Sequence, residues 1–145
     1  MKLQFLEVFA IAAVSFAAGS LATKLFTPAP VSADANRVYE LRVYHAMPGR
    51  LGDIVKRFKD DTRAIFDKHD MRSVGYWVPE DVPAKDSTLI YIISHPSREA
   101  AAKHWKEFAT SDEWKAVVAR TEANGKIVEK VESTFMDPTD YSNLK

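Results

Sequence analysis

The stretch RVYELRVYH, residues 37–45, decides the fold. Tyr39, Leu41 and Val43 alternate with Glu40, Arg42 and Tyr44, the period of two that sends successive side chains to opposite faces of a strand. Met47-Pro48-Gly49 then breaks the chain direction. Beyond it, Leu51, Ile54, Val55, Phe58, Thr62, Ile65, Phe66 and His69 recur at spacings of three and four. That stripe predicts a helix of about five turns, with Lys56, Lys59, Asp60 and Arg63 on its outer side.

Working outward, MRSVGYWV (71–78) reads as a second strand, and EDVPAKD, which contains Pro83, as a turn or loop. STLIYIISH (87–95) is the most apolar run of this part of the chain and predicts a central strand buried on both faces. Pro96 ends it, and Ser97 is placed to cap a helix through Phe108 whose inner face carries Ala101, His104, Trp105 and Phe108. Thr110 to Glu113 has the T-x-x-E form of a capping box and predicts the start of another helix, with Trp114, Val117, Val118 and Thr121 aligned. Asn124-Gly125 stops that helix, and KIVEKVESTF (126–135) is the last strand.

The resulting order, β-α-β-β-α-α-β, is the split βαβ arrangement of a ferredoxin-like sandwich, an α+β fold with an antiparallel sheet and helices on one face. If Tyr39, Leu41 and Val43 pack under the helices, the other face exposes Arg42, Tyr44 and much of the apolar third strand. Apolar sheet surface of that size predicts a partner, most simply a second copy closing face to face.

Composition removes several function classes. Twenty basic residues balance twenty acidic ones without a like-charge run, so no nucleic-acid partner is expected. The absence of cysteine excludes disulfides, Cys-ligated zinc and thiolate catalysis. VFAIAAVSFAAGSLAT, between Glu7 and Lys24, carries no charge over sixteen residues, short of the roughly 18 expected of a membrane span. It matches the apolar part of a secretory signal, with small residues at Val31-Ser32-Ala33 and Ala33-Asp34-Ala35 for cleavage. The expected organisation is a signal peptide or anchor at 1–24, a proline-rich linker at 25–36, one domain at 37–136 and a polar tail at 137–145. Export to a periplasmic or secreted location is expected; the alternative is membrane anchoring by residues 8–22.

YELRVYHAMPGRL (39–51), the GYW at Gly75–Trp77, YIISHPS (91–97), SDEWKAV (111–117) and VESTFMDPTDYS (131–142) together resemble the NIPSNAP family of the dimeric α+β barrel superfamily. The resemblance covers nearly everything after residue 36. It implies a homodimer with a barrel-like interior between two sheets, and it implies no reaction, because it carries no established catalytic constellation.

Four histidines raise the question of a metal. His45 and His95 end neighbouring antiparallel strands at opposite ends, roughly 25 Å apart at about 3.3 Å per residue. No carboxylate stands at ligand spacing beside His69 or His95, and His104 reads as a packed or half-exposed helix residue. No metal site is expected. No cofactor is expected either: no phosphate-binding glycine loop occurs. The candidate ligand-binding residues are Glu40, Arg42 and Tyr44 on one strand face, with Trp77 and Tyr91 as aromatic surface on neighbouring strands. Such a face can fix strand register and the dimer, with Glu40 or Glu132 pairing Arg42, or it can form an anion or carbonyl pocket with Arg42 as anchor and Tyr44 as donor. Two readings follow. The favoured one is a homodimeric module without catalysis, binding a small apolar or aromatic molecule or a protein, and touching membrane only through an uncleaved N-terminal segment. The alternative is a cofactor-free enzyme, monooxygenase- or isomerase-like, using Arg42, Tyr44 and His45 on a phenolic or carbonyl substrate.

Overall fold

The computed structural model describes residues 37–144. The apolar run and linker read from the sequence lie outside the described residues. No helix among the described residues is long and apolar enough to cross a membrane.

The alternating segment forms β1 (Val38–Ala46). Gly49, at φ +73°, supplies the left-handed step of the turn that follows. The three-and-four stripe then forms α1 (Leu51–Arg57), a π-helical turn (Phe58–Thr62) and α2 (Arg63–Lys68). At the π-turn the Arg63 N–H donates to the Phe58 carbonyl, five residues back. The extra residue in that turn keeps Ile54, Phe58, Thr62, Ile65 and Phe66 all buried. Val55, read from the sequence as part of the same stripe, is instead 39% exposed.

β2 (Arg72–Trp77) and β3 (Thr88–His95) follow, joined by a loop that holds one 3-10 turn at Ala84–Asp86. α3 (Arg98–Thr110) starts where the sequence predicts, with the Ser97 hydroxyl accepting from the Ala100 N–H. α4 (Asp112–Thr121) does not. Its cap is Ser111, which accepts from the Trp114 N–H, while the Thr110 hydroxyl donates back to the Lys106 carbonyl inside α3. The cap is therefore displaced by one residue, and no capping box closes because Trp114 stands three residues on: Ser111 has the extended backbone a cap requires, and Thr110 is still helical. Gly125 (φ +102°) bonds back to the Glu122 carbonyl before β4 (Val128–Met136).

The sheet order is β2-β3-β1-β4, antiparallel throughout. This is the α+β ferredoxin-like sandwich expected from the order of elements. Register puts Glu40, Arg42 and Tyr44 opposite Ile93, Tyr91 and Leu89, on one face. Tyr39, Leu41 and Val43 lie opposite Ser94, Ile92 and Ile90, on the other.

Which face meets the helices is the opposite of the sequence expectation. Tyr44 packs edge-on against Phe58 of the π-turn, at 5.4 Å between ring centroids. Tyr91 lies 5.0 Å from Phe58 and 6.0 Å from Phe66. The face with Glu40, Arg42 and Tyr44 is thus the helix-covered one, and Tyr39, Leu41 and Val43 face away. The helices can cover polar groups because they bring donors and rings for them; the other side is apolar at its centre, and its polar groups His45, Glu132 and Lys130 pair with one another near one end. Tyr91, Phe66, Ile54, Ile65, Met71, Ile93 and Ile127 are the largest fully buried apolar side chains of the core, with Phe58 and Phe108 nearly so.

The cap assignment predicts that Ser111→Ala lowers stability by about 1 kcal/mol in urea unfolding. Thr110→Ala changes it by no more than about 0.5 kcal/mol, as an exposed position should. The reverse ranking would restore Thr110 as the cap.

Candidate functional site

The polar residues of β1 converge on Glu40, which is 1% exposed. Its carboxylate accepts four hydrogen bonds. Oε1 receives Arg42 Nη1 at 2.9 Å and the Ser133 hydroxyl at 2.6 Å. Oε2 receives His95 Nε2 at 3.1 Å and the Trp105 indole N–H at 2.6 Å. Register explains three of these. Ser133 lies directly opposite Arg42 on β4, and His95 lies opposite Val38, two residues from Glu40 on the same face. Trp105 comes from the inner stripe of α3.

Burial alone would raise the Glu40 pKa, but the bonds from His95, Ser133 and Trp105 and the charge of Arg42 outweigh it and hold the carboxyl at about 2, against an ordinary 4.5. Because an ionised carboxylate only accepts, the His95 proton must sit on Nε2. His95 Nδ1 is buried without a partner, as is His104 Nδ1. The two imidazole rings lie 5.8 Å apart.

Arg42 is 17% exposed and stacks on the Trp105 ring, 4.2 Å from its centroid. Burial opposes its charge, and the nearby Tyr91, Tyr44 and Glu40 reverse that and raise its pKa. Burial pushes the Tyr91 hydroxyl well above the ordinary tyrosine range. Arg42 Nε and the Tyr91 hydroxyl have no partner at hydrogen-bond geometry, although the Tyr91 hydroxyl lies close enough to Tyr44 and Arg42 to interact with both. These are the uncommitted donors of the cluster, suited to an anion or a carbonyl oxygen.

Four of the five sequence candidates, Glu40, Arg42, Tyr44 and Tyr91, therefore meet on the helix side of the sheet. They do not look into the space between two sheets, as the sequence reading had it. Trp77 is elsewhere. It pairs with Ile90 on the open face, is 50% exposed, and lies across Gly75. A Cβ on Gly75 would fall 2.6 Å from the Trp77 ring, so the indole occupies the space that only glycine leaves there. His45 also departs from the cluster: it bonds Glu132 at 3.2 Å, and Glu132 in turn takes Lys130, not Arg42. Glu40 is the partner of Arg42.

Sequence reasoning missed His95, Trp105 and Ser133 as members of the cluster. Trp105 read as packing because its indole face and its N–H cannot be told apart by periodicity. Among the described residues no group of three or more His, Asp and Glu is arranged to hold a metal ion.

A family model described as NIPSNAP matches residues 39–143. A NIPSNAP family protein from Agrobacterium tumefaciens str. C58 is 23% identical over 76% of this chain and 92% of its own, with a TM-score of 0.65. A second from the same organism, of unknown function, is 20% identical over 76% and 95%, also at 0.65. An uncharacterized NIPSNAP-like domain protein from Burkholderia xenovorans is 17% identical over 74% and 89%, at 0.63. Among curated proteins no match to this sequence is found.

The Glu40 network predicts a specific pH dependence. With the folded pKa below the unfolded one, its stabilisation is complete above about pH 4.5 and is lost as pH falls through about 2. Glu40→Gln should cost about 3 kcal/mol at neutral pH, the low end for breaking a buried charged pair. The gap between variant and wild type should close on acidification from pH 5 to pH 2. Chemical unfolding at a series of pH values measures it, and a gap independent of pH would remove Glu40 as the titrating group.

Proposed function

Because this chain belongs to the NIPSNAP family, we propose that it acts as an exported or membrane-held homodimeric binding module whose two sheets close over their open faces. One observation carries the dimer. Tyr39, Leu41, Val43, Ile90, Ile92 and Trp77 share the face opposite the helices, and among the described residues the C-terminal segment flanks its end near Tyr39 and Ile92, through Pro138, Thr139, Ser142 and Leu144. A contiguous apolar sheet face is stabilised by burial at about 25 cal/mol per Å², and a second copy offers the same surface in return. The export reading rests on the uncharged run before Lys24 and the small residues near Ala33. Among the described residues no metal cluster accompanies the polar site, and its Ser133 hydroxyl is spent on Glu40, which favours binding over catalysis.

A second reading, a cofactor-free enzyme for a phenolic or carbonyl substrate, draws support from the unpartnered Arg42 Nε and Tyr91 hydroxyl. Its donors lie under the helices and not in the space between the sheets. His45 has no part in it.

Native mass spectrometry of the full chain should give a dimer, and Leu41→Glu should give a monomer with unchanged far-ultraviolet dichroism. A wild type that stays monomeric at every concentration sinks the face-to-face arrangement. Tyr91→Phe separates the two readings of the cluster. Deleting a buried, unpaired hydroxyl should leave stability level or raise it by up to about 1 kcal/mol. Loss of turnover or ligand in that stably folded variant would move the hydroxyl into the working site.

A further inference from the structure

A second constellation sits at the edge of the helix layer, away from the open face and separated from the Glu40 carboxylate by the rings of Tyr44 and Tyr91, on which its Phe58 and Tyr76 pack. Val55, Phe58, Lys59, Arg63, Tyr76 and Leu89 line a cleft of 140 Å³ between the π-turned helix and β2–β3. Phe58, Leu89 and the half-buried Tyr76 make its floor and wall, and the rings of Phe58 and Tyr76 stand 5.8 Å apart, nearly edge to face. Val55 leaves 39% of its surface at the mouth.

Two cations stand over this apolar floor. Lys59 and Arg63 are one helical turn apart, a like-charge spacing that costs a few tenths of a kcal/mol in a bare helix. Neither forms an ion pair among the described residues, although acids are near. Asp60 is taken by Lys56 and Asp61 by Arg120, and the next lysine along, Lys68, reaches Glu113 at 2.8 Å. Asp67 bears electrostatically on Tyr76, but no ion pair joins it to Arg63. The Tyr76 hydroxyl is itself spent on Ser73, at 2.6 Å. Arg63 instead lies over the Tyr76 ring, 5.9 Å from its centroid, and leaves its guanidinium edge for another partner.

We propose that this cleft binds a small aromatic carboxylate, its ring against Phe58, Tyr76 and Leu89 and its carboxylate between Lys59 and Arg63. Charge complementarity selects the anion: Lys59 and Arg63 line the cleft without an ion pair, Asp60 and Asp61 are engaged by Lys56 and Arg120, and Asp67, near Tyr76, is a single acid against two cations. Size selects a single ring, since the volume is below the roughly 300 Å³ at which drug-sized sites begin. The π-turn has a part in this. Its wide turn carries Phe58 inward while leaving Lys59 exposed beside Val55, so floor and cation belong to adjacent residues. The site lies on the helix side and is independent of whether two sheets pair.

The test is an amide NMR titration of the full chain with sodium benzoate, with benzamide and inorganic phosphate at matched ionic strength as probes. Benzoate should produce saturable shifts centred on Phe58, Tyr76 and Leu89; benzamide and phosphate should not. Lys59→Gln and Arg63→Gln, both at exposed positions, should each weaken benzoate about tenfold, the loss expected of a charge-assisted bond, with the rest of the spectrum unchanged. Absence of saturable benzoate shifts overturns the proposal. So does benzamide binding as tightly as benzoate, or affinity that survives both substitutions. Saturation by phosphate alone would show an anion site without the aromatic recognition and overturn it equally.

Discussion

A carboxylate beneath a helix layer is the constraint on which this structure turns. Isolated, the Glu40 charge could not be buried; a dry carboxylate would take up a proton instead. Here it is met by donors from β1, β3, β4 and α3, so four elements have to arrive at set positions for the charge to remain. Whichever face of β1 holds Glu40 must be the face the helices cover, because Trp105 comes from α3. The orientation of the central strand, and with it the identity of the open face, follows from that one requirement. Arg42 serves it twice, pairing the carboxylate and stacking on the same indole.

This also explains what the sequence disclosed and what it hid. Periodicity is a local property, and it revealed the four strands and the main helices; the split βαβ layout then made the first and third strands neighbours, with His45 and His95 at opposite ends. Facing is not local. The alternation in YELRVY separates two sets of side chains but carries no label for which set is inside. Apolar residues usually are inside, so Tyr39, Leu41 and Val43 were the natural choice for the core, and the three polar residues for the outside. The preference fails because the polar set is satisfied by groups up to ninety-three residues away, and pairing at that separation leaves no trace in a short window. The same limit applies to Ser111: T-x-x-E was a sound pattern, but which of two adjacent hydroxyl residues leaves the helix depends on where α3 stops packing.

The two sides of the sheet are chemically distinct. The helix side is largely spent: its carboxylate is saturated, and among the described residues the buried side-chain atoms without a hydrogen-bond partner are Arg42 Nε, Arg57 Nε, the Tyr91 hydroxyl and the Nδ1 atoms of His95 and His104. The open side is apolar at its centre, and its polar groups His45, Glu132 and Lys130 satisfy one another near one end. A fold with this division can recognise polar or anionic molecules through one layer while associating through the other, so the two properties can be altered by separate substitutions.

The indole lying on Gly75 carries a consequence for how the sequence can vary. A single added methyl at position 75 collides with the ring of position 77, so each residue sets what the other is allowed to be. Substituted one at a time, they are expected to be coupled, the joint change costing less than the sum of the separate ones. A lineage that replaces the tryptophan by a small side chain is released from the glycine, whereas one that replaces the glycine first must move an indole off the sheet. The order in which the two positions can drift is therefore set by a contact between neighbours on one strand, independently of any selection on what the protein binds.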